Sequence, residues 1–206
     1  MIISNFRDIS KYNPKIKKGL VFRSSALSLI DEEKIIYEIL EKNNIKTIID
    51  LRANRELEQN DYSESLKSKF NIFHSPLDPW NQPEWFKEKY QYGTNEEIAY
   101  RFFAIACKNQ IKKALEAIIN EENATLVHCF AGKDRTGILI TLLHLLSGAS
   151  ENEIFADYLA SEMDTKKEYL QILLDIVEQS GGIYKYLQTC NLTENQIERL
   201  KIKLFK

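Results

Sequence analysis

Residues 125–137 read Thr-Leu-Val-His-Cys-Phe-Ala-Gly-Lys-Asp-Arg-Thr-Gly, and this stretch decides the fold. Thr125 to Cys129 is short, apolar and partly β-branched, the pattern of a strand buried on both faces. A loop of small and polar residues follows, and the apolar run Thr136 to Leu146 reads as a helix. Working outward, Gly19 to Arg23 is a second strand candidate leading into Ser24-Ser25, and Thr47 to Leu51 a third, closed by the Asp50 carboxylate. Phe70 to Leu77 is a weaker one, stopped by Pro76 and Pro79. Ser28 with Asp31 and Glu32 resembles an N-cap with an acidic first turn. Ile35, Ile36, Ile39 and Leu40 then share one face of a helix that ends near Asn43-Asn44. Glu96 to Asn120 is expected to be one long amphipathic helix, with Arg101 and Lys108 toward solvent. Beyond Ser150 everything reads as helix, with capping boxes at Ser150/Glu153 and Thr193/Gln196. Strands alternating with helices, then helices alone, predict an α/β fold. It has a short, mainly parallel central sheet flanked by helices, and a helical C-terminal third.

The chain has 206 residues, with 28 Lys+Arg against 30 Asp+Glu and a net charge of -2, so no nucleic-acid partner is implied. A hydrophobic share of 44% supports one sizeable core, and 7 Gly and 4 Pro leave no linker on which to cut the chain. A single domain over 1–206 is therefore expected. Asn5, Arg7 and Asp8 interrupt what a signal peptide would need to be apolar, and Gly137 to Ala149 is too short to span a membrane. Three cysteines, Cys107, Cys129 and Cys190, are an odd number for a disulfide framework. Reduced thiols and a cytoplasmic setting are expected, with Cys107 and Cys190 chemically idle.

Cys129 stands where a strand ends and a helix is about to begin. The backbone N–H groups of Phe130 to Arg135 can converge there into an anion site, and the same positive field favours thiolate over thiol. Arg135, six positions after Cys129, carries a planar fork that suits two phosphate oxygens. Gly132 supplies backbone freedom, Gly137 allows close approach of the helix to the sheet, and the Thr136 hydroxyl is placed to stabilise the sulfur.

The stretch His128 to Gly137, HCFAGKDRTG, resembles the signature loop of the cysteine-dependent protein tyrosine phosphatase superfamily. Within it the stretch resembles the bacterial tyrosine and phosphoinositide phosphatases whose loop reads HCxAGKDRTG. Asn5-Phe6-Arg7-Asp8, Gly19 with Phe22-Arg23-Ser24, and Asp50-Leu51-Arg52 with Glu56 resemble the same family, so the likeness spans about Asn5 to Gly148. The resemblance implies attack by Cys129, a phosphocysteine intermediate and hydrolysis by water, with Arg135 as phosphate clamp. Phe130, Ala131, Gly132, Lys133, Asp134 and Arg135 supply the phosphate cradle. No metal and no cofactor are implied.

Two carboxylates compete as general acid. Asp78 follows the Phe70 to Leu77 segment, where relatives carry a mobile acid loop, and Asp134 lies inside the signature itself. Asp50, at a strand's carboxyl end, is expected to position Arg52 or the loop, and His128 to support the loop rather than act as a base. His74 and His144 read as structural. Lys133 adds a cation that suits substrates with more than one phosphate. The partner is thus either a phosphorylated protein, phosphotyrosine above all with phosphoserine and phosphothreonine beside it, or a phosphoinositide or inositol polyphosphate. Trp80, Trp85, Phe86, Tyr90 and Tyr92 form either plain packing or an aromatic lid able to grip a ring or touch a membrane surface transiently. A phospho-binding pseudophosphatase is disfavoured by intact Cys129, Arg135 and Thr136. Sulfur transfer and arsenate reduction are disfavoured by the GKDRTG continuation.

Overall fold

Five strands form one sheet in the order β1-β2-β5-β3-β4. They are β1 (Arg7–Asp8), β2 (Val21–Ser24), β3 (Ile45–Asp50), β4 (Asn71–His74) and β5 (Ala124–His128). The computed structural model describes residues 3–206 apart from Asp31 and Met163. β2, β5, β3 and β4 run parallel, and only β1 is antiparallel. The register aligns Ser24, His128, Asp50 and His74 in one row at the carboxyl edge. The loops that leave the strands therefore meet at one end of the sheet, where parallel α/β sheets present their ligand-facing residues.

Successive side chains point to opposite faces, and both faces are covered. Leu126, Ile48 and Phe22 pack with Ile36 and Leu40 of α1 (Glu33–Lys42) and Leu66 of α3 (Glu64–Lys69). Val127, Ile49 and Val21 face the larger core. That core is built from α4 (Glu84–Tyr90), α5 (Asn95–Ala106), α6 (Lys108–Asn120) and α7 (Asp134–Leu146), with the C-terminal helices outside them. Those are α8 (Glu151–Leu159), α9 (Lys167–Gln179), α10 (Ile183–Thr189) and α11 (Glu194–Leu204). Between β3 and α3 lies the short α2 (Asn54–Gln59). Both expected capping boxes are present. None of the helices among the described residues is long and apolar enough to cross a membrane.

The expected single helix over Glu96 to Asn120 is two helices. Its apolar stripe steps from Ile105 to Ile111, six positions, which breaks the three-and-four rhythm of one helical face. The chain turns at Cys107, whose N–H donates to Phe102 O rather than to the carbonyl four back. Arg101 and Lys108 are half-buried, not fully solvated. Ser28 does not cap α1: Glu32 holds that position without a side-chain bond, and the Ser28 hydroxyl accepts from Arg52 at 2.8 Å. Asp31 of the same expected cap lies outside the described residues. α7 starts at Asp134, two residues before the expected Thr136, which draws Arg135 into its first turn.

Candidate active site

The loop 129–133 is shaped by what its carbonyls bond to. Cys129 O meets His128 Nδ1 at 2.9 Å, and Phe130 O accepts from the Ala26 N–H at 2.9 Å. Ala131 O accepts from Asn5 Nδ2 at 2.8 Å, Gly132 O from Arg23 Nη2 at 2.9 Å, and Lys133 O from the Gly137 N–H at 2.7 Å. A trans peptide plane sends its C=O and the following N–H in opposite directions. With the carbonyls held outward, the N–H groups of Phe130, Ala131, Gly132, Lys133 and Asp134 turn to the inner side, against the start of α7. This is a nest for a tetrahedral anion. Gly132 is required in it: at φ +69° a Cβ would sit 2.1 Å from Ser24 O. Cys129 is buried at the head of the loop, and the Thr136 Oγ1 is buried without a partner among the described residues.

Glu56 of α2 aims Arg135. Its carboxylate takes Nη1 and Nη2 together, with Oε1 at 2.8 Å from Nη2, so the Nε edge of the guanidinium is left for an anion. Burial alone would lower the affinity of Arg135 for its proton, but Glu56 outweighs it and holds the guanidinium above its ordinary value. Glu56 is fixed in turn by the Ala53 N–H at 2.8 Å.

Two buried charge clusters back the loop. On the β2 side Asp157 of α8 takes Arg23 Nη1 at 2.6 Å and Arg7 Nε at 2.7 Å, with His144 Nε2 at 3.4 Å. On the β3 side Arg52 clasps Asp50 through Nε and Nη2, and the Tyr62 hydroxyl donates to Asp50 Oδ2 at 2.9 Å while meeting His128 Nε2. Burial works against ionising Asp50, yet His128 and Arg52 hold its carboxyl well below the usual range. Asp157 is held low against burial in the same way by Arg23, His144 and Arg7. Burial lowers His128, which points from the loop into this cluster and is no base for the thiol.

A nest around a cysteine, an arginine fixed by a carboxylate and the parallel sheet beneath them agree with the comparison to known proteins. A model of the tyrosine phosphatase family matches residues 2–168. The chain belongs to that family. Triple specificity protein phosphatase PtpB of Mycobacterium tuberculosis is 28% identical over 189 residues, covering 76% of this chain and 66% of PtpB. A tyrosine-protein phosphatase of Nostoc commune is 27% identical over 129 residues, covering 46% of this chain and 44% of its own. The chain thus spans less than two thirds of the length of these relatives. The core catalytic domain of the PP-IP phosphatase SIW14 of S. cerevisiae shares the fold, with a TM-score of 0.50 and 20% identity over 98% of this chain and 94% of that one.

The two acid candidates of this tyrosine phosphatase family member are placed differently. Asp134 opens α7 within the loop, its Oδ1 accepting from the Tyr100 hydroxyl at 2.7 Å and lying 3.6 Å from Lys133 Nζ. Asp78 accepts from the Trp80 N–H of its own turn at 3.0 Å and lines a cleft of about 150 Å³ with Cys107 and Gln110. Lys133 reaches back to Asp164 O at 2.7 Å, so its ammonium is tied to the loop's rim. The aromatic segment divides. Phe86 is buried against Phe102 and Tyr90, whereas Trp80, Trp85 and Tyr92 are exposed, Trp80 under Arg55 and Tyr92 under Arg101. His74 bonds Arg52 O at 2.7 Å, and His144 lies buried beside Asn13 and Asp157.

Sequence reasoning gave no role to Arg7, Arg23, Asp157, Tyr100 or Tyr158. A signal existed for two of them: Arg23 ends an apolar strand and Asp157 interrupts the apolar face Ile154-Phe155-Tyr158, and a charge in such a place needs a buried partner.

Proposed function

We propose that the chain is a cysteine-dependent phosphatase that hydrolyses phosphotyrosine through a phosphocysteine intermediate. The observation that carries this is a loop headed by Cys129 whose carbonyls are bonded away from it, with Glu56 holding Arg135 at its far end. Cys129 Sγ attacks phosphorus while the bond to the phenolic oxygen breaks. The three phosphoryl oxygens lie in the nest against the Nε edge of Arg135, which takes up the developing charge. Asp134 gives its proton to the departing phenoxide, a role its place inside the loop supports over Asp78. In the second step water attacks the phosphocysteine, Asp134 accepts the water's proton, and the thiolate leaves with the Thr136 hydroxyl beside it.

A second reading, a phosphoinositide phosphatase, draws support from the Lys133 cation at the loop's rim. The name of the Mycobacterium relative speaks for breadth of substrate as well. Three reduced, buried cysteines support a cytoplasmic setting. The test is hydrolysis of an aryl phosphate in EDTA by the parent and by Cys129→Ser. Turnover in the parent and none in the variant is expected, and EDTA-sensitive activity surviving in the variant would overturn the mechanism. A kcat/KM panel of phosphotyrosine, phosphoserine and phosphothreonine peptides against phosphoinositides separates the two substrate readings.

A further inference from the structure

We propose that Tyr100, backed by Tyr158, is a positioning residue that orients the Asp134 carboxyl and sets which of its oxygens carries the transferable proton. This rests on the reading of Asp134 as general acid. Tyr100 on α5 and Tyr158 on α8 come from helices far apart in sequence, and each is 1% exposed. Their hydroxyls lie 2.6 Å apart, and Tyr100 donates to Asp134 Oδ1 at 2.7 Å. An ionised carboxylate has no proton to give, so the chain has one direction: Tyr158 donates to Tyr100, and Tyr100 to Asp134. A hydroxyl that itself accepts a hydrogen bond is the better donor.

With Oδ1 occupied as an acceptor, the acid form of Asp134 carries its proton on Oδ2. A hydrogen bond donated to a carboxyl oxygen in general stabilises the charged form, which sets the direction expected when Tyr100 is replaced. Burial pushes both phenols above their ordinary range, so neither competes for the proton. Charges facing this group are Lys133 and Arg135 beside Asp134 and Arg23 beside Tyr158. From α9 the Tyr169 ring packs against it, 5.8 Å from that of Tyr100. Gly137 makes room for the arrangement, since a Cβ there would lie 3.1 Å from the Tyr158 ring.

The experiment is a kcat/KM pH profile of the parent, Tyr100→Phe, Tyr158→Phe and Asp134→Asn on two aryl phosphates, one with a strongly and one with a weakly acidic phenol. Tyr100→Phe is expected to move the basic limb up by about one pH unit and to lose about tenfold on the weakly acidic phenol alone. Tyr158→Phe should move the limb the same way by less, and it carries the test if Tyr100→Phe does not fold. An unmoved limb, with equal loss on both substrates, overturns the proposal. Asp134→Asn separates the two layers. If it keeps the parent's basic limb, the general-acid reading itself falls; if it loses the limb while both tyrosine variants keep it, only the positioning role falls.

Discussion

Arg23 Nη2 donates to the Gly132 carbonyl at 2.9 Å from a side chain with no solvent exposure, so one peptide of the anion nest is oriented by a buried guanidinium. That guanidinium depends on Asp157, which it shares with Arg7. The Asp157 carboxylate is thereby one of the links by which the helical C-terminal third reaches the loop. Asp157→Asn would leave two buried cations against one neutral amide. A loss of about 3 kcal/mol in urea unfolding is expected, with kcat/KM about tenfold lower where the variant is still folded. Parent-like stability would show that the cluster is not what holds the loop.

Stability should fall toward acid for two reasons of the same sign. Asp50 and Asp157 stay ionised in the folded chain well below their ordinary range, so their contribution is complete above about pH 4 and is lost as pH drops toward the folded values. His128 is lowered from 6.5 by burial, so the unfolded chain takes up its proton first and stability declines as pH falls below about 6.5. Thermal melts between pH 8 and pH 2 should show a nearly flat Tm down to pH 7, a fall below about pH 6.5 from His128 and a further fall below about pH 4 from the two carboxylates. A Tm that rises on acidification contradicts both assignments.

Glu56→Gln keeps the shape of the side chain and removes its charge. Arg135 loses the bidentate partner that aims it, while the variant exposes no new apolar surface. A fall in kcat/KM of about tenfold or more is expected, together with weaker inhibition by inorganic phosphate. Unchanged phosphate inhibition would mean that Arg135 finds its place without Glu56.

Gly132→Ala and Gly182→Ala make a matched pair. Both glycines have positive φ, +69° and +92°, so each alanine suffers backbone strain of roughly 1–3 kcal/mol, the larger at Gly182 with ψ at 177°. Only at Gly132 does the new Cβ collide with backbone, at Ser24 O, whereas at Gly182 there is nothing within 4 Å. Activity should be lost in the first and retained in the second. Equal kcat/KM in the two variants would show that the loop moves without consequence.

The legible parts of this molecule were those set by neighbours in sequence. Thr125 to Gly137 carries its strand, loop and helix start within one short stretch, and the buried strands read directly from Thr47 to Leu51 and Gly19 to Arg23. What supports the site is non-local: Arg23 meets Asp157, Tyr100 meets Asp134, and Arg135 meets Glu56. No periodicity reports such pairs, and they form only once the sheet has brought its carboxyl edge together. The break at Cys107 was visible as a slip in phase but was overridden by the apolar content on either side. Sequence does not choose between Asp78 and Asp134, because both follow strands and their surroundings differ through non-local partners, Tyr100 for Asp134 and the cleft with Cys107 and Gln110 for Asp78.

Cys129 should also stand apart from the other two thiols in reactivity. Burial pushes Cys190 up to about 11 and Cys107 higher still, with the Asp78 charge adding to the latter, so at neutral pH both are almost wholly thiol. Cys107 does stand at the start of α6, but burial and the Asp78 charge oppose its thiolate there, and Cys190 follows the end of α10. Iodoacetamide at pH 7 is therefore expected to modify Cys129 in the native protein, and inorganic phosphate should slow it by filling the nest. In Cys129→Ser the native protein should remain unlabelled, and both remaining thiols should react once urea unfolds it. Peptide mapping by mass spectrometry reads the sites, and native labelling at Cys107 or Cys190 that keeps pace with Cys129 would remove the distinction between a reactive thiol and two packing residues.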